Sequence, residues 1–373
     1  MGNELPAPAP SRGCRAVPIP TPSNALPCCC PCTQQGVDAV APAPARRYSG
    51  RMRRLALAAA CATLVTLVVV AVRLRTADPL AVLPRDDPSR VSTSEQWSER
   101  SQGRTLLHVV LYGDAVGRVQ FVMSLPDPMP AGRLPLLVVV AGLRGATDRV
   151  REVDAVAGIG GAVVGYDWPL PPGDPTFADL ALRGRKLRSA VLAVPGQIDA
   201  ILAWASRQPW VDPDRVALLG FSLGAFVVPA SQRLAQERGA RVGWTVIGYG
   251  GATIGDVIAG LPGTGPAWTR ALLRAGGNLL LRPVEPSLHL PQLRGRFLVL
   301  GAETDRLIDP RATQRLAELT PEPRTVVRIA GGHVGLGADR REILERVVSV
   351  SRAWLVEQGA LDPEPRASAR TAR

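Results

Sequence analysis

The sequence predicts an α/β domain: a mostly parallel, eight-stranded sheet with helices on both faces. Three observations lead there. From residue 105 onward, short runs rich in Val, Leu and Ile alternate with stretches of helical spacing. Between Val216 and Ala225, an apolar run meets the tight turn Gly220-Phe221-Ser222-Leu223-Gly224 and continues into a helix-like segment. All six cysteines lie at or before Cys61. The rest of the chain must therefore hold through its core alone, which a domain of this size can do.

Residues 1–54 read as a disordered tail. Ten of the first 50 residues are proline, and such a segment buries too little apolar surface to offset its ordering entropy. The cluster Cys28-Cys29-Cys30-Pro31-Cys32 has no nearby His and no second Cys pair, so it fits zinc spacing poorly. Gly2 is followed by Pro6 where a myristoylation signal wants Ser or Thr. Met52-Arg53-Arg54 before an apolar run also reads as a possible alternative start. Leu55–Val72 is 18 residues without a charge, about 27 Å as a helix and just enough for a bilayer core. The run ends in Val70-Ala71-Val72-Arg73, a poor cleavage site, so an uncleaved transmembrane anchor is expected. Five arginines (46, 47, 51, 53, 54) precede it and Arg73 and Arg75 follow. That bias puts the N-terminus in the cytoplasm and the C-terminal part outside. The net charge of +12 sits largely in the termini and beside this run. The remainder is mildly basic, with no stripe of cations and aromatics of the kind that reads nucleic acid.

Residues 73–104 are polar with scattered Pro, Asp and Ser and read as a linker to a domain at 105–361, with a disordered tail at 362–373. Leu106–Tyr112 and Val119–Leu125 flank Gly113-Asp114 as a hairpin. Leu136–Ala141 and Ala162–Tyr166 are buried strands, with a helical pattern through Val150, Val153 and Val156 between them. Residues 177–206 are helical, broken into two pieces at Pro195-Gly196. The strand into Gly220 and a helix to about Arg238, kinked at Pro229, follow. Val242–Ile247, Phe297–Leu300 and Val326–Ile329 complete the strands. A helix around Arg311–Leu319 separates the last two, and Ile343–Val356 closes the chain as an amphipathic helix. Almost 50 residues separate Ile247 from Phe297, more than a simple connection needs. Within 251–290, helical spacing at Trp268, Leu272, Leu273 and Leu279-Leu280-Leu281 suggests a small cap over the site.

The turn at Ser222 is the chemical focus. A strained strand-to-helix turn of the form G-x-S-x-G presents a serine hydroxyl at a sheet edge. Gly220 and Gly224 leave room that a side chain would fill, and the following helix aims its N–H groups at the serine. A serine needs a base, usually a histidine oriented by a carboxylate. Of three histidines, His108 lies in an early strand and His289 in a connecting segment. His333 sits in Ala330-Gly331-Gly332-His333-Val334-Gly335 after the last strand, and is the expected base. For the acid, Asp305 is first choice in the loop after Phe297–Leu300. Glu303 is too near the strand end, and Asp309, before Pro310, suits a helix cap. The order Ser222, Asp305, His333 matches that of one fold family.

Residues from about 105 to 360 resemble the α/β-hydrolase superfamily. Trp210-Val211-Asp212-Pro213-Asp214-Arg215-Val216 before Gly-Phe-Ser-Leu-Gly is similar to its dienelactone hydrolase and prolyl-oligopeptidase-like branches. The dienelactone branch proper carries Cys where Ser222 stands, which favours ordinary ester hydrolysis here. The resemblance implies an oxyanion hole from the N–H of Leu223 and of a residue after the third strand, here Leu143. It implies a small acyl substrate and neither a metal nor an organic cofactor. A peptidase, a thioesterase or acyltransferase, and a non-enzymatic hydrolase-fold binding protein are the alternatives.

Overall fold

The computed structural model describes residues 50–101, 103–142, 160–169, 177–260, 264–337 and 339–363. The chain divides into two units, 1–59 and 60–373. The first is described only from Gly50, where helix α1 (Gly50–Thr76) begins. Of the expected tails at 1–54 and 362–373, residues 1–49 and 364–373 lie outside the described residues, as does the helical pattern at Val150–Val156, while residues 50–54 are part of α1. The apolar stretch Arg54–Thr76 of α1 is long and apolar enough to cross a membrane, and none of it is buried.

The second unit is built on one nine-stranded sheet in the order β1-β2-β3-β5-β4-β6-β7-β8-β9. The strands are β1 (Ser92–Ser101), β2 (Arg104–Gly113), β3 (Gly117–Pro126), β4 (Leu134–Val140), β5 (Ala162–Tyr166), β6 (Val211–Phe221), β7 (Trp244–Gly248), β8 (Arg296–Ala302) and β9 (Arg324–Ile329). β1, β2, β3 and β5 pair antiparallel, and β5, β4 and β6 to β9 pair parallel. The helices are α2 (Phe177–Ala205), α3 (Leu223–Glu237), α4 (Ile254–Gly260), α5 (Ala267–Leu280), α6 (Pro286–His289), α7 (Pro310–Leu319) and α8 (Arg340–Glu357). Strand side chains alternate between two cores, as a period of two requires. Leu136, Val138, Val140 and Leu218 join one with Ile198 and Val227 of α2 and α3. Leu137, Ala217 and Leu219 join the other with Ile343, Val347 and Trp354 of α8.

Two expectations are corrected. The stretch 73–104 is not a linker and the sheet has nine strands, because β1 lies within it. Nearly every residue of β1 is exposed, so Ser-Thr-Ser-Glu-Gln-Trp-Ser-Glu-Arg-Ser carries no apolar alternation to read. The preceding residues also belong to the domain. Leu80, Leu83 and Val91 are buried in the core, and Asp86 accepts N–H bonds from Ala115 and Val116 in the β2–β3 turn. The second correction is α2, which runs unbroken through Pro195-Gly196. Gly196 serves packing there: a Cβ would overlap the Pro84 carbonyl and crowd Val116.

Candidate active site

The parallel strands bring the site together at their carboxyl ends. The chain leaves β4 for β5 on one side and returns as β6 on the other. Such a reversal opens a crevice at the strand ends. Ser222 stands there, between the end of β6 and the start of α3, with φ +55° and ψ −119°. A non-glycine residue at positive φ is held by its surroundings. Its N–H donates to the Gly248 carbonyl of β7 at 2.9 Å. A Cβ on Gly220 would come within 2.7 Å of the Gly224 carbonyl oxygen, and one on Gly224 would overlap that of Val140. Neither position has room for a side chain.

Ser222 Oγ lies 2.8 Å from His333 Nε2, and His333 Nδ1 lies 2.8 Å from Asp305 Oδ2. Both the histidine and aspartate side chains are buried. The loops that carry them are stitched together. Glu303 N–H donates to Ile329 O, and Thr304 donates to Gly331 O through both its N–H and its hydroxyl. Asp305 Oδ1 accepts the N–H groups of Leu307 and Ile308 at 2.8 and 3.0 Å. Burial pulls the Asp305 carboxyl up, but its bond and charge interaction with His333 and these two N–H donors outweigh that and hold it below the usual carboxylate range. An ionised carboxylate on Nδ1–H leaves Nε2 as the acceptor facing Ser222, the arrangement that a general base needs.

The other candidates are placed elsewhere. Asp309 caps α7, accepting the Arg311 N–H. His108 lies on β2 near Glu99 and stacks on Trp97. His289 is buried, hydrogen-bonded to the Pro283 carbonyl, and burial pushes its imidazole down to about 4. Leu223 opens α3, so its N–H is among those with no partner within the helix. Leu143 lies outside the described residues. Gly142, just before it, is beside the serine, since a Cβ there would be 3.6 Å from Ser222 Oγ. Trp168 ties down this side by donating its indole N–H to Ala141 O at 2.8 Å.

Tyr249 was not legible in the sequence. It follows β7 with φ +59° and sets its ring edge-on to His333 at 5.6 Å. Burial, and then the Asp305 charge, push its hydroxyl up to about 12, and the oxygen has no hydrogen-bond partner among the described residues. Beyond Asp305, α4, α5 and the start of α7 frame a cavity of about 760 Å³ whose lining includes Asp256, Arg270, Arg274, Asp305, Arg306 and Arg311. Ser222 is not among the described lining residues. Among the described residues, no cluster of His, Cys, Asp or Glu is placed to hold a metal ion.

No family model matches the chain, and no curated protein matches it. Solved structures do. Acetyl xylan esterase 1 from Thermoanaerobacterium sp. JW/SL YS485 is 15% identical over 73% of this chain and 91% of its own, with a TM-score of 0.52. The acetyl xylan esterase from Paenibacillus sp. R4 is 18% identical over 70% of this chain and 88% of its own, with a TM-score of 0.51. At such identity the likeness is one of architecture, and with the sheet order above it shows that this chain has the α/β-hydrolase fold.

Proposed function

We propose that the chain is a serine hydrolase of the dienelactone hydrolase-like kind that cleaves a small carboxylic ester or thioester through an acyl-enzyme. The observation that carries this reading is the continuous chain of contacts from Ser222 Oγ through His333 to Asp305, each 2.8 Å. Ser222 Oγ attacks the substrate carbonyl while His333 Nε2 takes its proton. The tetrahedral oxyanion is met by the N–H of Leu223 and that of Leu143. His333 then protonates the leaving alcohol or thiol as the C–O or C–S bond breaks. Water, deprotonated by His333, repeats the cycle on the acyl-enzyme and frees the acid. Asp305 keeps the imidazole in its working tautomer. The two acetyl xylan esterases that share the fold favour an ester over a peptide bond.

In this reading α1 is an uncleaved anchor, with the N-terminus cytoplasmic and residues 105–361 outside, and α4 and α5 form a cap that shapes the acyl pocket. Ser222→Ala tests the chemistry. The parent enzyme should take a fluorophosphonate label and hydrolyse p-nitrophenyl acetate, and the variant should do neither. Full hydrolysis by the variant refutes the proposal. A reporter fused after Arg75 tests the topology, and its activity in the cytoplasm refutes the stated orientation.

A further inference from the structure

Helix α5 carries an apolar stripe that its own fold leaves uncovered. Trp268, Leu272, Ala275 and Leu279 recur at the spacing of one helical face. Trp268 is 67% exposed, Leu272 64% and the adjoining Leu280 49%, and no residue of the helix is buried. The opposite face is used. Asn278 Oδ1 accepts the Gly255 N–H at 2.8 Å, and a Cβ on Gly277 would touch Ile258 and Gly255 of α4. The stripe therefore points away from the helix's contact with α4.

The place of α5 in the unit shows what faces it. Just past its end, Arg282 donates to the carbonyl of Ala77 at 2.8 Å, one residue beyond the end of α1. Arg188 of α2 donates to the carbonyl of Leu280 at 2.8 Å. These contacts bring the ends of α1 and α5 and one stretch of α2 to the same corner, and the segments that meet there are rich in cations: Arg73 and Arg75 in the last turn of α1, Arg282, and Arg183, Arg185, Lys186 and Arg188 along α2. Asp78 is an acidic residue at this corner, and its carboxylate is engaged by the Leu80 N–H. An exposed tryptophan and leucines beside a group of arginines match a bilayer surface, with apolar side chains at the acyl boundary and cations on the headgroups. A second copy of the chain would bring the same cations to the contact, so charge opposes it.

We propose that α5 and the basic corner formed by Arg73, Arg75, Arg185, Lys186, Arg188 and Arg282 dock on an anionic phospholipid surface beside the exit of α1. The proposal rests on the reading of α1 as an anchor. It gives the domain a fixed seat on the membrane, with the α4–α5 hairpin at the lipid boundary.

The test uses the full chain reconstituted in phosphatidylglycerol or phosphatidylcholine bilayers that contain a phospholipid with a diazirine high in its acyl chain. After photolysis, adducts are mapped by mass spectrometry. In phosphatidylglycerol, label is expected on both α1 and residues 268–280. The α5 label should fall about tenfold in phosphatidylcholine, and likewise in Trp268→Ser/Leu272→Ser or Arg185→Glu/Lys186→Glu, while the α1 label stays constant. Fluorophosphonate labelling of Ser222 shows that each variant is folded. If a variant fails that check, the two lipids compared on the parent chain still decide. Label on α1 with none on α5 in phosphatidylglycerol overturns the proposal and spares the anchor. Equal α5 label in both lipids overturns the anionic preference. An α5 label that disappears as the protein-to-lipid ratio is raised, with the α1 label constant, shows a second copy covering α5 and overturns the lipid as occupant. Label on α5 without α1 removes the anchor and with it the proposal that docking occurs beside the exit of α1; label on neither removes both.

Discussion

Asp305→Asn and Asp309→Asn separate the two carboxylates of the loop after β8. The structure dictates how an amide must sit at 305. Asp305 Oδ1 accepts two backbone N–H groups, from Leu307 and Ile308. An amide nitrogen cannot replace that oxygen without setting donors against donors, so the asparagine oxygen stays there. Its NH₂ then faces His333 Nδ1, where Oδ2 lies 2.8 Å away in the parent. A donor at that place makes Nδ1 the acceptor and moves the ring proton to Nε2, 2.8 Å from Ser222 Oγ. The histidine can then no longer take the serine proton. Loss of the working tautomer costs about 10⁴ in kcat, or ~5 kcal/mol of barrier. Asp309 accepts the Arg311 N–H as the cap of α7, a task asparagine performs about equally well, so stability should change by less than about 1 kcal/mol. Initial rates of p-nitrophenyl acetate hydrolysis at pH 8, with thermal unfolding alongside, read both effects. Activity lost in Asp309→Asn and kept in Asp305→Asn would refute the reasoning.

Three further expectations concern the surroundings. Gly224→Ala drives a methyl group into the Val140 carbonyl; overpacking of this kind costs about 1–3 kcal/mol, and a lower Tm with lost fluorophosphonate labelling is expected. Tyr249→Phe removes a buried hydroxyl without a partner among the described residues, so Tm should hold or rise by about the equivalent of 1 kcal/mol while ester turnover stays near that of the parent. Burial pushes the Glu285 carboxyl up from 4.5 to about 8, against the Ile254 N–H and with help from the Asp256 charge. Folding therefore retains a proton that the unfolded chain releases. The stability this gives is complete below about pH 4.5 and is lost as pH rises towards 8, by at most ~1.4 kcal/mol per unit. Glu285→Gln should flatten the fall of Tm across that window, and an unchanged slope would show that the group does not titrate there.

Much of the site was legible because its chemistry forces unusual residues into a fixed order. A serine between two glycines after an apolar run implies the turn, and with only three histidines the base could be sought by position alone. Asp305 was separable from Asp309 because a following proline marks a helix start, and the cap bond to Arg311 has that origin. Tyr249 and Trp168 were not legible. An aromatic residue after a strand carries no local sign that the fold will turn it towards His333 or the Ala141 carbonyl. β1 was missed for the opposite reason: its partner supplies the hydrogen bonds, and solvent on both faces removes the alternation. Pro195-Gly196 misled because the pair usually breaks a helix. Here the cost of Pro195 is met within a long, well-packed helix whose Gly196 lies against Pro84.

β1 also finishes one edge of the sheet. Strand β2 buries Leu106, Val109, Val110 and Leu111, and its outer backbone is paired with nine residues of β1. What the sheet shows to the outside on that side is therefore a ribbon of Ser, Thr, Gln, Glu and Arg, with Trp97 laid over His108. Such a margin offers a neighbouring chain little to add to, since charge and polarity along an edge discourage further strand pairing. Cutting the chain where its composition turns apolar, near residue 104, would strip this selvage and leave β2 as a bare template. A boundary before Leu80 keeps both the hem and the Asp86 contacts that hold the β2–β3 turn.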